Sequence, residues 1–360
     1  MNINLHFTEE DWERVRRDWT AWWAGELDRP MVVLSTLFSP SRDEFTRDFL
    51  LEKPVDEVLD YHQVRLESTH FYGDAWPKWK PRLGPGIVAG FLGGKVEPRP
   101  EHGTVWFVAD EPVPVEALHF TYDANNVWWQ RELNLTRTAV ERWGNQVSVV
   151  HSDLGGVLDI LASFRTPTQL LYDLYDIPDE VTRLTGEIRV LWLRYYDELY
   201  SIIKKTGRAT TLWAPLLSPG RGYKHQCDFS YMISPRMFER FVLPDLVACF
   251  EQLDHAFYHM DGKGQIPHLD MLLLLESLDG IQWIPGASKP GPSKWLPLLK
   301  RIRDAGKLCQ LSVSEEEALT IVRELGGRGF AFSIIPDQPM PDTETKDFLK
   351  VLAAEDISLH

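Results

Sequence analysis

Apolar and polar positions along the chain follow two alternating periods. Near the amino terminus Trp12, Val15, Trp19, Trp22 and Trp23 recur at three- and four-residue intervals, which places them on one face of a helix. Thr8, with Asp11 three residues later, forms a capping box at its start, and Gly25 ends it. Such a Trp stripe packs as core or as a lid. Behind Pro30, the run Met31-Val32-Val33-Leu34-Ser35 predicts a short buried strand, and residues 40–75 carry a polar helical pattern.

From about residue 130 the alternation becomes regular. A helix over 131–144 precedes a strand over 147–151, and helices follow over 155–164, 167–175 and 178–205. A strand over 209–213, a loop and a helix over 234–253 come next. Strands over 256–259, 280–283, 308–312 and 329–333 then alternate with helices over 269–276, 294–305 and 315–325. The strands are apolar throughout rather than at every second position, which is the pattern of parallel strands covered by helices on both faces. Residues 76–130 differ: Pro77, Pro81, Gly84-Pro85-Gly86, Gly93-Gly94, Pro98 and Pro100 are interleaved with aromatics and with short strands such as 104–108. With the early strand and one or two from this segment the count approaches eight. The predicted fold class is α/β: a single (β/α)8 TIM barrel over 1–360, with an inserted Pro/Gly/aromatic-rich segment at about 76–130. That insertion has the composition of either a lid or the arm of a homodimer. No GxGxxG follows a strand and no Walker motif occurs, which counts against a nucleotide-binding open sheet.

Composition narrows the function classes. Across 360 residues, 38 Lys and Arg against 53 Asp and Glu leave a formal charge of −15, which disfavours nucleic acid and anionic membranes as partners. The expected partner is a small-molecule substrate. Three scattered cysteines, Cys227, Cys249 and Cys309, form neither a disulfide framework nor a CxxC metal site, and no export signal or membrane-length apolar run occurs. A cytoplasmic location is expected.

In a (β/α)8 barrel, reactive groups follow the carboxyl ends of the strands. The sharpest constellation there is His259-Met260-Asp261-Gly262. Alternation puts His259 and Asp261 on one side, where they could act as an acid–base pair, ligate a metal, or form plain hydrogen-bonded structure. His151 and Asp153 repeat the spacing, although Asp153 could equally cap the next helix. Asp74, set among aromatics, is a candidate acid with a raised pKa, or a residue that orders a loop. Trp76, Trp129, Trp213 and Trp283 are candidate pocket walls or core. Gln282, Gln310 and Ser333 end otherwise apolar strands and complete the candidate substrate contacts.

Several segments together resemble the uroporphyrinogen decarboxylase superfamily, which includes decarboxylases and corrinoid-linked methyltransferases. They are Trp23 to Pro30; Asp74 followed by Leu83-Gly84-Pro85-Gly86; Phe164-Arg165-Thr166-Pro167, then Asp173 through Pro178; Ile233-Ser234-Pro235 through Pro244; Tyr258-His259-Met260-Asp261-Gly262; and Gly326-Gly327-Arg328-Gly329-Phe330. The resemblance implies a (β/α)8 barrel and a lyase that decarboxylates a small or aromatic substrate without a required cofactor. In that reading Asp74 is the acid, and His259, Asp261, His151 and Asp153 assist. The alternative it implies is methyl transfer involving a corrinoid protein, with Zn2+ or another divalent metal at His259 and Asp261. A third alternative is a silent barrel that binds a ligand. Asp261 stands where the zinc methyltransferases have a cysteine ligand, and residues 332–336 hold no second cysteine. The stretch after the first strand also lacks the arginines that a polyanionic tetrapyrrole would need, so uroporphyrinogen is not the expected substrate.

Overall fold

The computed structural model describes residues 3–36, 51, 53–336 and 340–357. Thirteen strands are described: β1 (Met31–Ser35), β2 (Phe71–Gly73), β3 (Lys78–Trp79), β4 (Glu97–Arg99), β5 (Thr104–Trp106), β6 (Ser148–Val149), β7 (Thr210–Thr211), β8 (Leu217–Ser218), β9 (Gly222–Gln226), β10 (His255–Asp261), β11 (Gly280–Ile284), β12 (Leu308–Val313) and β13 (Phe330–Ile334). Seven of them form one sheet in the order β2-β1-β13-β12-β11-β10-β9, parallel at every joint except β1–β2. Helices join the consecutive parallel strands β9 to β13, and packing against them lets the strands tolerate long apolar runs.

The expected eight-stranded barrel is not formed as a closed ladder among the described residues. β3 pairs in parallel with β6, and β7 forms an antiparallel pair with β8, as separate two-stranded pieces. Pro77 and Pro81 flank β3 and supply no N–H, which shortens that ladder. Side chains link the pieces instead: the Trp76 indole donates to Thr211 Oγ1 at 3.0 Å, and the Ser148 and Thr211 hydroxyls lie 2.7 Å apart.

The helix Glu9–Trp23 has the expected capping box, with Thr8 and Asp11 bonding each other's backbone N–H groups. Its Trp face closes the amino-terminal end of the sheet. Trp12, Val15, Trp19 and Trp22 pack with Met31, Phe257, Leu308 and Ala331 from the early parts of four strands. The indoles of Trp19, Trp22 and Trp23 donate to the carbonyls of Asp74, Phe330 and Leu217 at 3.1, 3.1 and 2.7 Å. Trp19 and Trp22 are buried and Trp23 half-buried, and the hydrogen bond each indole makes removes the cost of its polar edge.

Three local expectations change. Residues 76–82 belong to the body through β3, so the insertion is shorter than 76–130; within it β4 and β5 form a hairpin. The helix expected over 234–253 is two, Pro235–Phe241 and Leu243–Phe250, because Pro244 lacks the N–H needed to continue the first. The strand β9, read as a loop, sits at the edge of the main sheet. Part of the polar helical pattern over 40–75 appears as the helix Val55–Glu67, while residues 40–50 lie outside the described residues. Among the described residues no helix is long and apolar enough to cross a membrane.

Candidate functional site

Five neighbouring strands carry a polar strip. On β10, His259 lies opposite Gln282 of β11, which lies opposite Gln310 of β12. Lys224 on β9 reaches the same strip. Its ammonium and the His259 Nδ1 both meet Gln282 Oε1, Gln282 Nε2 donates to Gln310 Oε1, and Gln310 Nε2 donates to Ser333 Oγ at 3.0 Å. The direction of this chain fixes the histidine tautomer. Gln282 Oε1 can only accept, so His259 Nδ1 donates and its Nε2 carries the free lone pair. That Nε2 lies 3.9 Å from Asp261 Oδ2. Burial, with the nearby Lys224 charge, pushes the imidazole down to about 3, against the opposing effect of the Gln282 bond. His259 is therefore neutral at ordinary pH. Burial raises the Asp261 carboxyl, and Lys224 opposes the rise.

Trp213 stands beside this strip. Its ring lies 5.4 Å from the His259 ring, and the Lys224 ammonium sits 3.5 Å from its centroid. Lys80 donates to the Trp213 carbonyl at 3.2 Å. Beyond Trp213 opens a cavity of about 460 Å³ lined by Lys78, Lys80, Arg82 and Arg65 among apolar side chains. Burial pushes Lys78 and Lys80 down to about 8; for Lys80 the charge of Arg82 adds to the effect, while Asp153 and Glu132 oppose it. Burial also drives Lys224, only 1% exposed, well below the ordinary lysine value. Asp153, Asp159 and Asp228 are all raised by burial. Asp228 is raised further by repulsion from Asp159, Asp153 and Asp261.

The structure brings together His259, Asp261, Asp153, Trp213, Gln282, Gln310 and Ser333 around Lys224. Other expected residues lie elsewhere. Asp74 is 1% exposed and sits at the opposite end of the strands. Its two carboxylate oxygens accept from Arg29 at 2.7 and 2.8 Å, and one also accepts from the Val32 N–H at 2.8 Å. It anchors the start of β1 rather than facing the cavity. His151 does not pair with Asp153. Its ring stacks on Tyr196 at 4.6 Å behind the sheet, and burial pushes it down to about 3. Asp153 instead turns toward Lys80 and Lys224, and its Oδ1 accepts from the Gly155 N–H. Trp76 is fully buried beneath Lys78, 4.5 Å from its ammonium. Trp129 packs among Phe91, Tyr122 and Tyr195, and Trp283 against Trp295, so both are core.

His259 and Asp261 are two candidate donors for a metal. Among the described residues no three His, Cys, Asp or Glu side chains form a group that could hold one. The divalent-metal position of the methyl-transfer alternative therefore lacks a third protein ligand among the described residues. Cys227 follows β9 but is buried, and its thiol is raised well above its ordinary value by that burial.

Sequence reasoning missed Lys78, Lys80 and Lys224. The signal was present for two of them: Trp76, Lys78 and Lys80 alternate on one face of an extended segment. Lys224 was hidden because the segment Gly222-Tyr223-Lys224-His225-Gln226 is too polar to read as a buried strand.

No family model matches the chain, and no curated protein matches it. Among solved structures it is similar to a methyltransferase from Methanosarcina mazei, with a TM-score of 0.60 and 14% sequence identity over 95% of this chain and 98% of that one. The likeness is one of fold. A mixed α/β architecture of this kind, with polar groups gathered at the carboxyl ends of its strands, is also how many small-molecule enzymes are arranged.

Proposed function

We propose that the protein is an enzyme of methyltransferase type, built as one unit on a (β/α)8-like barrel and acting on a small molecule at the carboxyl ends of its strands. The observation that carries this reading is the directed chain from Lys224 and His259 through Gln282 and Gln310 to Ser333, which leaves His259 Nε2 as an unprotonated acceptor at the mouth. The likeness to a methyltransferase supports it over decarboxylation, and so does the engagement of Asp74, the expected acid, with Arg29.

In the transfer step a nucleophile, held with its hydrogen toward His259 Nε2, forms a bond to the methyl carbon. The bond between that carbon and the donor breaks, and its electron pair stays on the donor. The proton of the nucleophile passes to His259 Nε2. Asp261, 3.9 Å away, stabilises the imidazolium that forms, and Gln282 holds the ring in its tautomer. Burial holds the imidazole low and the Lys224 charge adds to it, so an anionic group placed against Lys224 offsets the second of these causes when substrate binds. With two donors and no third ligand among the described residues, no step passes through a metal.

The test supplies methylcobalamin as donor with thioglycolate and 3-mercaptopropionate as acceptors. Loss of the donor's absorbance is followed, together with the mass of the S-methyl product. Methyl transfer that falls at least tenfold in His259→Ala is expected. Absence of transfer, together with CO2 release from carboxylic acids, would overturn the reading in favour of decarboxylation.

A further inference from the structure

We propose that the cavity beside β3 binds an organic anion with an apolar body, whose carboxylate is held by the ammonium groups of Lys78 and Lys80. This names the substrate class of the mouth, and so rests on reading that mouth as a substrate site.

The charge distribution points that way. The chain carries −15 overall, yet the described residues that line this cavity include Arg65, Lys78, Lys80 and Arg82, and among the described residues no Asp or Glu lines it. Lys78 and Lys80 stand two apart on an extended segment, so both reach the same space. Neither forms an ion pair with a carboxylate among the described residues. Lys78 lies over the Trp76 ring, and Lys80 bonds the Trp213 carbonyl beside that indole's face. Both are half-buried at the cavity wall, and an aromatic face and one carbonyl replace only part of the water that the two ammonium groups give up there. Their depressed pKa values are the sign of that unmet demand, and an anion satisfies it.

The other walls decide what kind of anion. Val33, Leu66, Phe71, Val150, Leu212 and Ile334 present apolar surface, and about 460 Å³ is the size of a small organic ligand. Phosphate sites draw on the N–H groups at a helix start. The helix bordering this cavity, Val55–Glu67, contributes His62, Arg65 and Leu66 from its carboxyl-terminal half instead. That favours a carboxylate attached to an apolar body over free phosphate.

Binding should also take up protons. Lys80 faces Arg82 on its own segment, Asp153 after β6, Glu132 on the helix Val127–Trp143 and Lys224 on β9. Lys78 and Lys80 share the cavity with His62 and Arg65. An added carboxylate shifts both lysines toward their charged forms near pH 8.

The experiment is titration calorimetry on the full chain at pH 8, in two buffers of different ionisation enthalpy. Benzoate, phenylacetate and hexanoate are the acids, benzamide is the neutral mimic and inorganic phosphate the simple anion. The expected result is binding of at least one acid with proton uptake, at least tenfold tighter than benzamide or phosphate. The variant Lys78→Met/Lys80→Met should weaken it at least tenfold, and exposed Lys300→Met should leave it unchanged; if the double variant does not fold by circular dichroism, Lys80→Gln replaces it. Benzamide or phosphate binding as tightly as the acids, no acid binding at all, or a lysine variant of native affinity would overturn the proposal. His259→Ala should lose methyl transfer and keep the binding, so failure of the transfer reading does not carry the anion site with it.

Discussion

The two ends of the same strands solve opposite problems. At the amino-terminal end three indoles and a buried carboxylate have partners. Three indoles bond three carbonyls, and Asp74 takes two bonds from Arg29 and one from Val32. At the carboxyl-terminal end, Lys78, Lys80 and Lys224 are desolvated beside indole faces, while Asp153, Asp228 and Asp261 are held above their ordinary pKa values. The first end contributes stability. The second gives some of it up to hold partly desolvated charges, and under the proposed function those charges meet a ligand.

The sharpest way to break this comparison is at the sealed end. Trp22→Ala removes a buried indole and its bond to Phe330, and should cost about 3–5 kcal/mol in urea unfolding. A loss under 1 kcal/mol would show that the Trp face is not the seal. Asp74→Asn weakens a buried carboxylate's grip on Arg29. Because Arg29 is half-exposed, the expected cost is smaller, about 2–3 kcal/mol, with activity per folded molecule unchanged. Normal stability with lost turnover would return Asp74 to the role of catalytic acid.

At the open end the sign reverses. Lys80→Met removes a desolvated charge and should raise stability at pH 7 by about 1–2 kcal/mol, while weakening acid binding. The folded pKa lies below the unfolded one, so the penalty is full below pH 8 and fades as pH rises toward 10.5. A destabilised Lys80→Met would show that the lysine serves the fold.

The pH dependence set by the buried histidines is read as a slope. His151, His225 and His259 are each pushed down to about 3 by burial. Between their ordinary value of 6.5 and that value the unfolded chain binds more protons, so stability is full above pH 6.5 and falls as the pH drops. Each histidine adds about 1.4 kcal/mol per pH unit. His151→Phe should remove one such increment from the acid limb between pH 4 and about 6 without touching the site. An unchanged slope would place a charge-compensating partner beside that ring.

Much of the fold was legible because apolar periodicity is a local property. The capped Trp helix, β1 and the strand–helix alternation from β10 to β13 stand close to where the pattern put them. β9 was not legible, since Tyr223, Lys224, His225 and Gln226 read as loop until neighbours bury them. The site shows the same division. His259, Gln282, Gln310 and Ser333 interrupt otherwise apolar strands, within them rather than at their ends, and that contrast survives in one dimension. Whether a residue at such a position faces the mouth or the helices does not. His151 turns to Tyr196 while Asp153 turns to Lys80, and Trp213 joins the site while Trp129 and Trp283 join the core.

By itself, then, the order of residues determined the elements, the acidic surface and the class of side chain at the strand ends, because each follows from composition or short-range spacing. Only the tertiary structure decided which charges meet. The pairing of Asp74 with Arg29, 45 positions away, and of Lys224 with Gln282, 58 away, depends on strand register across the sheet. So does the desolvation that lowers Lys224, because burial is a property of the packed chain and not of any segment of it.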